Sequence, residues 1–137
     1  LWRLNGSPAA GGTPFADVAG SMWYADAVTW AAENNIVKGY NETVFAPDKN
    51  ITREQIAAIL YRYAEFKGRA PEKTGDLSQF TDTDQISDWA KENVAWSVGA
   101  GLIGGKGSGI LDPLAELLVG RSQPCCIGFW RTNKQAF

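Results

Sequence analysis

Residues 23–47 read WYADAVTWAAENNIVKGYNETVFAP, and residues 89–113 read WAKENVAWSVGAGLIGGKGSGILDP. The second stretch matches the first at a constant offset of 66, from Trp23 with Trp89 to Pro47 with Pro113. Matches at several Trp, Gly and Pro positions mark one supersecondary unit that the chain uses again. The function should therefore be sought in what this unit builds.

The repeat extends outward on both sides of these stretches. Phe15 and Asp17 correspond to Phe80 and Asp82, and the start of the chain, LWRL, resembles LYRY at residues 60–63. We therefore predict five segments. They are the end of a preceding unit at 1–10, a complete unit at 15–68, a linker at 69–79, the first part of a following unit at 80–113, and a diverged tail at 114–137.

Composition argues against several classes of function. The chain has 137 residues, 45% of them hydrophobic, which suffices for a core. Its net charge is −2, and the sequence has no block of basic residues that would bind nucleic acid or anionic membranes. No apolar run approaches the roughly 20 residues of a membrane span. Histidine is absent and the two cysteines are adjacent, so we predict no Ser–His or Cys–His catalysis, no metal site and no cofactor. The missing initiator Met and signal sequence predict a part of a longer protein.

The first helix of each unit is predicted from apolar residues at helical spacing between Ser21 and Asn34. Ser21 is expected to cap this helix, and Ser87 is expected to cap the matching helix of the second copy. Asn35 and Gly101 follow the two helices, and both residue types tolerate the left-handed conformation of a helix end.

The second helix is predicted to begin at Thr52, whose hydroxyl can form a capping box with Gln55. Gly68 is expected to end it. Between the two helices, residues 39–50 are predicted to form an ordered loop. Residues 104–109, GGKGSG, are its expected counterpart rather than a phosphate-binding loop, because the spacing of that motif is not met.

Together these motifs resemble the S-layer homology repeat. They are Phe15-x-Asp17-Val18, Trp23-Tyr24, Ala27-Val28, Ile36-Val37-x-Gly39, Phe45-x-Pro47 and Ile51-Thr52-Arg53-Glu54-Gln55. The resemblance, which reaches Pro113, implies an all-α fold of helical hairpins packed as a pseudo-threefold, three-prong bundle, incomplete here. It also implies a secreted bacterial surface protein, held at the cell wall or S-layer through a pyruvylated secondary cell-wall polysaccharide.

The tail departs from this pattern. The offset of 66 would place a Thr-Arg pair at positions occupied by Leu118 and Val119. In another reading frame, plausible codons for the tail give Arg-Ala-Gln-Pro-Ala-Met-Leu-His-Arg-Phe, which resembles a second helix. Our hypothesis is that residues 114–137 are a frameshift product, and the alternative is a diverged natural terminus. Sequencing the gene from independent isolates should reveal the shift; one shared, uninterrupted frame through Phe137 would contradict the hypothesis.

Arg53 is the residue most strongly predicted to bind a ligand. It occupies the first turn of a helix, where a positive charge interacts unfavourably with the helix dipole. A contribution to helix stability therefore does not explain why an Arg stands at this position. A guanidinium beside helix N-terminal N–H groups suits a carboxylate or a pyruvyl ketal. The alternative is an ion pair with Asp17 or Glu54 that only ties units together. The residues leave both open, and the resemblance favours binding.

The remaining predicted glycan-binding residues each have a structural alternative. Thr52 is expected to cap its helix, with or without a ligand contact. Trp23 and Trp89 can offer a flat face to a sugar or pack in the core, whereas Trp30 and Trp96 lie beside the apolar stripe and are predicted to pack.

Two glycines and two aspartates complete the predicted site. Gly39 would leave space for a ligand, or would form a turn that needs a positive φ, and Gly105, its counterpart in the second unit, is also predicted to bind glycan. Asp17 and Asp82 are expected to cap the first helices or to orient an Arg.

The predicted function is a non-catalytic module that anchors a surface protein by binding an anionic cell-wall polysaccharide. No paired catalytic carboxylates can be identified, although the parent protein could carry an enzyme elsewhere. The alternative is a structural or assembly spacer that contacts other S-layer subunits and binds no glycan.

Overall fold

The computed structural model describes residues 1–69 and 74–117, so most of the tail, including positions 118 and 119, and residues 70–73 of the linker lie outside the described residues. The described fold is mostly helical, in agreement with the all-α prediction. Its helices are α1 (Ala25–Glu33), α2 (Arg53–Phe66) and α3 (Lys91–Gly99), with 3-10 turns at Arg3–Asn5, Thr83–Gln85 and Asp88–Ala90; its strands are β1 (Ile51–Thr52) and β2 (Glu116–Leu117). No helix in this described part has both the length and the apolar character that a bilayer span requires.

The ends of α2 follow the local signals of the sequence. The Gln55 N–H donates to the Thr52 hydroxyl at 3.3 Å, and the Thr52 N–H donates to the Gln55 side chain at 3.0 Å, which confirms the capping box. Gly68 follows the helix with a φ of 65°, as predicted. The left-handed ends predicted after the first helices are confirmed as well, at Asn35 (φ 56°) and Gly101 (φ 68°).

The predicted start of α1 is wrong. The helix begins at Ala25, and no side chain caps it. Residues before Ala25 form a turn instead, in which the Met22 N–H donates to the Ala19 carbonyl and the Ala25 N–H donates to the Met22 carbonyl. Ser21 lies on this turn, before the helix, and is exposed.

Ser87 is also not the side-chain cap that the sequence predicts. Its hydroxyl and its N–H both donate to the carboxylate of Glu54, at 2.9 and 3.0 Å. Glu54 is only 5% exposed and belongs to α2, so a buried carboxylate of one unit holds the start of the first helix of the next. A local cap is replaced by a contact between units.

The second unit packs its apolar face around α2. Ala57 of α2 lies in one buried cluster with Val94 and Leu111, and Leu60 lies in another with Trp96. Trp96 and its counterpart Trp30 are buried, which confirms their predicted packing role. The α2 helix therefore supplies core to the following unit as well as to its own.

The backbone also joins α2 to the second unit. Strands β1 and β2 pair antiparallel, with Ile51 opposite Leu117 and Thr52 opposite Glu116. Beyond this pairing, the N–H groups of Arg53 and Glu54 donate to carbonyls of residues 115 and 113 at 3.1 and 3.0 Å. Helix starts leave such N–H groups without partners within the helix, and here the next unit satisfies them.

The buried contact between Glu54 and Ser87 generates the first stability prediction. Glu54→Ala should lower the free energy of unfolding by about 1–3 kcal/mol, because it leaves the donors of Ser87 without their acceptor in a partly buried place. Glu65→Ala, on the exposed face of the same helix, is the matched control. Urea denaturation compares the two variants, and equal losses would contradict this role of Glu54.

Candidate functional site

The start of α2 and the second unit form a contact that contains the residue most strongly predicted to bind. The Arg53 Nη2 donates to the Gly104 carbonyl at 2.6 Å, and the Arg53 backbone N–H donates to the Ala115 carbonyl. We call this contact of Arg53 with Gly104 and Ala115 the Arg53 joint. Arg53 is partly buried as a residue, and its Nε is shielded from solvent.

The N–H groups at the start of α2 do not take the ligand-binding role that the sequence suggests. Those of Arg53 and Glu54 donate to carbonyls of the second unit, and that of Gln55 donates to Thr52. Any anion at the joint must therefore be held chiefly by the guanidinium and by groups of the second unit. Thr52 is occupied as the helix cap.

Asp82 lies close to the joint, and its side chain caps no helix, so of its two expected roles the orientation of an Arg remains a prediction. Its carboxylate accepts N–H groups from Leu111 at 2.9 Å and Asp112 at 2.7 Å. The hydrogen bond from Leu111 contributes most to lowering the pKa of Asp82, and the charge of Arg53 also contributes. Asp82 therefore stays ionised and shapes the loop beside the joint.

Asp17 has the same role in the first unit, where its side chain caps no helix; the other expected role, the orientation of an Arg, stays a prediction. It accepts N–H groups from Phe45 at 2.9 Å and Ala46 at 2.6 Å, and the bond from Phe45 contributes most to lowering its pKa. The signal for this role was the recurrence of an Asp at equivalent positions before both Phe-x-Pro and Leu-x-Pro segments. Asp17 and Glu54 were the alternative ion-pair partners predicted for Arg53. The Asp17 carboxylate is instead held by N–H groups of the loop, and the Glu54 carboxylate by Ser87.

At both predicted glycines, other atoms of the protein occupy the space that a ligand was predicted to take. At Gly39, where φ is 66°, an added Cβ would lie 2.6 Å from the Val44 carbonyl oxygen and 2.7 Å from the ring of Phe15. At Gly105 it would lie 2.8 Å from the ring of Phe80. The close approach at both positions is thus made by an aromatic ring of the same unit.

A pair of adjacent glycines tests this packing. Gly105→Ala should destabilise the fold by about 1–3 kcal/mol, because the new methyl group overlaps the ring of Phe80. Gly104→Ala meets nothing within 4 Å and should change stability by less than about 0.5 kcal/mol. Thermal or urea unfolding measures both variants, and equal effects would contradict the assignment of Gly105 to ring packing.

The two predicted sugar-stacking residues, Trp23 and Trp89, are surface residues, 82% and 54% exposed. Trp23 lies in a small depression with Trp2 and Arg3, away from the residues of the Arg53 joint. Trp89 lines a different and larger groove, to which Gln55 of α2 also contributes. The structure therefore does not gather the predicted residues into one site.

This larger groove has a volume of ≈ 690 Å³ and runs between the loop of the first unit and α2. Its apolar lining includes Val37, Phe45, Pro47, Ala58 and Ile59, and its aromatic and charged lining consists of Tyr40, Trp89, Lys38, Lys49 and Arg62. Within residues 1–69 and 74–117, no Asp or Glu lines it. We call it the first-unit groove.

The three cations of this groove were missed by the sequence-based prediction. Lys38 and Lys49 lie outside the helices, Lys49 directly after Asp48, and Arg62 lies on a helix with no distinguishing pattern. In the structure the Lys49 ammonium lies 4.7 Å from the centre of the Tyr40 ring, a cation–π contact that no pattern in the sequence indicated. Among residues 1–69 and 74–117, no group of three His, Cys, Asp or Glu side chains could hold a metal ion.

Comparison with known proteins matches both units. The model of the family described as the S-layer homology domain matches residues 14–57 and 79–116. The chain is 38% identical over 112 residues to a surface-layer 125 kDa protein of Lysinibacillus sphaericus, covering 80% of the chain and 9% of that protein. It is 34% identical over 113 residues to exoglucanase XynX (82% and 10%) and 31% identical over 103 residues to a cellulosome-anchoring protein (75% and 23%), both of Acetivibrio thermocellus. The chain thus spans less than a quarter of each of these relatives.

Proposed function

The chain belongs to the S-layer homology domain family, and we propose that it is a non-catalytic module that anchors its parent protein by binding an anionic cell-wall polysaccharide. The pyruvylated secondary cell-wall polysaccharide is the ligand that we favour. A ketal-linked pyruvate carries a carboxylate, and a guanidinium is the side chain best suited to hold one.

Its relatives support a role that is independent of any one activity. By name they include a surface-layer protein, a cellulosome-anchoring protein, an exoglucanase and an amylopullulanase. The region shared with this chain is 5–23% of each of these proteins. A short segment common to proteins of such different names suits attachment better than catalysis.

The single observation that carries the choice of an anionic ligand is the sign of the charges that line the first-unit groove. The chain has a net charge of −2, yet among the described residues the charged ones that line the first-unit groove are Lys38, Lys49 and Arg62, all cationic. Arg53 adds a further cation at its joint with the second unit. Such local positive potential attracts an acidic polymer to a protein that is acidic overall.

Within this function, Arg53 is the charge anchor that we propose. Its guanidinium is oriented by the Gly104 carbonyl and belongs to a partly buried residue, which lowers the entropic cost of holding a carboxylate. Asp82 and Gly105 shape the neighbouring loop, and Thr52 fixes the start of the helix. The exposed indoles of Trp23 and Trp89 would offer stacking surfaces for sugar rings further along the chain of the polymer.

The charge anchor is tested by sedimentation with purified cell-wall sacculi. Arg53→Ala should weaken binding by about 1.5–3 kcal/mol, the range for a charge-assisted hydrogen bond. The matched control is Arg69→Ala, which removes the same charge from an exposed position and should bind like the parent chain.

Because Arg53 also bonds Gly104, both variants must be compared at a temperature where denaturation curves show them folded. Arg53→Lys keeps the charge but loses the planar fork, and it should bind with intermediate strength. Equal binding by all three variants would refute the role of Arg53.

The alternative function is a spacer or assembly domain that contacts other S-layer subunits. It is favoured by large apolar side chains at the surface, among them Trp23 (82% exposed) and Leu4 (60% exposed). Large exposed apolar patches mark interaction sites in soluble proteins. Self-association in the ultracentrifuge without sedimentation on sacculi would support this alternative, and the reverse result would support the anchor.

A further inference from the structure

Three tripeptides of the form Asn-x-Ser/Thr occur in the chain. They are Asn5-Gly6-Ser7, Asn41-Glu42-Thr43 and Asn50-Ile51-Thr52. Such tripeptides accept N-linked glycans on proteins outside the cell, and this chain belongs to a family of cell-surface proteins. Because the motif is short and also occurs by chance, the surroundings of each Asn must decide whether a sugar can join its Nδ2.

The fold engages the Nδ2 of two of these asparagines. The Asn5 Nδ2 donates to the Tyr63 hydroxyl at 2.9 Å. The Asn50 Nδ2 donates to the Glu116 carboxylate at 2.8 Å, and Thr52 of the same tripeptide is the cap of α2. A modifying enzyme reaches either Nδ2 only by breaking a contact between distant segments of the chain. The fold therefore disfavours both as sites of modification.

Asn41 differs, because its side chain is exposed and the fold uses only its Oδ1. That oxygen accepts the N–H groups of Thr43 and Val44, at 2.9 and 2.8 Å, and the Thr43 hydroxyl at 3.2 Å. Its Nδ2 donates to no residue within 1–69 and 74–117. The atom that a sugar would join is thus accessible in the folded protein.

The backbone presents this tripeptide in one defined shape. The Tyr40 N–H donates to the Val44 carbonyl at 2.8 Å, which closes the loop around residues 41–43. Glu42 and Thr43 are exposed together with Asn41. The positions 66 residues later, 107–109, read Gly-Ser-Gly, so the second unit has no such tripeptide at the matching place. An enzyme can therefore recognise this loop on the first unit without unfolding it.

We propose that Asn41 is an N-glycosylation site, modified on Nδ2 by a sugar that is activated as a glycosyl diphosphate. The bond between Nδ2 and the anomeric carbon forms as the bond from that carbon to the diphosphate oxygen breaks. The diphosphate leaves with the electron pair, and a base of the transferase takes one proton from Nδ2. The hydrogen bonds to Oδ1 draw electron density from the amide nitrogen and make that proton more acidic.

Peptide mapping by mass spectrometry tests the site on full-length protein isolated from the surface of the cells that produce it. The peptide that contains Asn41 should carry the added mass of one or more sugar residues, and fragmentation should assign this mass to Asn41. Peptides that contain Asn5 and Asn50 should keep their unmodified masses. An unmodified Asn41 overturns the proposal. Equal modification of all three asparagines also overturns it, because the motif and not the loop would then select the site.

Variants of the tripeptide separate its two chemical requirements. Thr43→Val removes the hydroxyl and should abolish the added mass, whereas Thr43→Ser keeps a hydroxyl and should retain it. Asn41→Asp is the matched control for the loop, because its carboxylate can accept the same N–H groups but offers no Nδ2. It should lose the sugar, and Asn50→Gln should keep it. A sugar that persists in Thr43→Val or in Asn41→Asp contradicts the assignment.

The source of the activated sugar is identified by comparing the exported protein with a form that is retained in the cytoplasm. Modification of the retained form indicates a nucleotide-linked donor, and modification of the exported form alone indicates a lipid-linked donor; both results support the site. Absence of the sugar from both forms overturns it. Because the measurement is a mass and not binding to cell walls, its result is independent of the anchoring function.

Discussion

The first turn of α2 has backbone donors that the helix itself cannot satisfy, and the described fold depends on where they go. Thr52 accepts one of them within the same unit, but the N–H groups of Arg53 and Glu54 use carbonyls of Ala115 and Pro113. Because those carbonyls belong to the second unit, this helix start is complete only when the units are docked. Docking also buries the Glu54 carboxylate on Ser87, so helix capping and inter-unit packing stabilise each other.

Local signals predicted the fold well where the partner residue is a near neighbour in the chain, and they were wrong where the partner belongs to a distant segment. The capping box at Thr52 and the left-handed residue Asn35 depend only on near neighbours, and both were confirmed. Ser87 was predicted to cap its own helix, and a cap was one of two roles predicted for Asp17, but their partners lie 33 and 28 residues away. A short polar side chain can serve either role, and only the tertiary arrangement decides which donors or acceptors reach it.

The candidate site shows the same division. The choice of Arg53 rested on a local argument, its unfavourable place against the helix dipole, and the structure puts that residue at the inter-unit joint. Lys38 and Arg62 could not be found in this way, because a single cation in a loop or on a helix carries no periodic signal. They line one groove with Trp89 only because three separate segments of the chain converge there.

The predicted residues divide into those that shape one unit and those that need two. Asp17 and Gly39 shape the loop of the first unit, as Asp82 and Gly105 do in the second, and each does so through contacts within its own unit. Arg53 reaches across to the next unit. If the anionic ligand binds where Arg53 meets that loop, a single unit carries only the halves of two sites, and binding capacity follows the number of joints rather than the number of units.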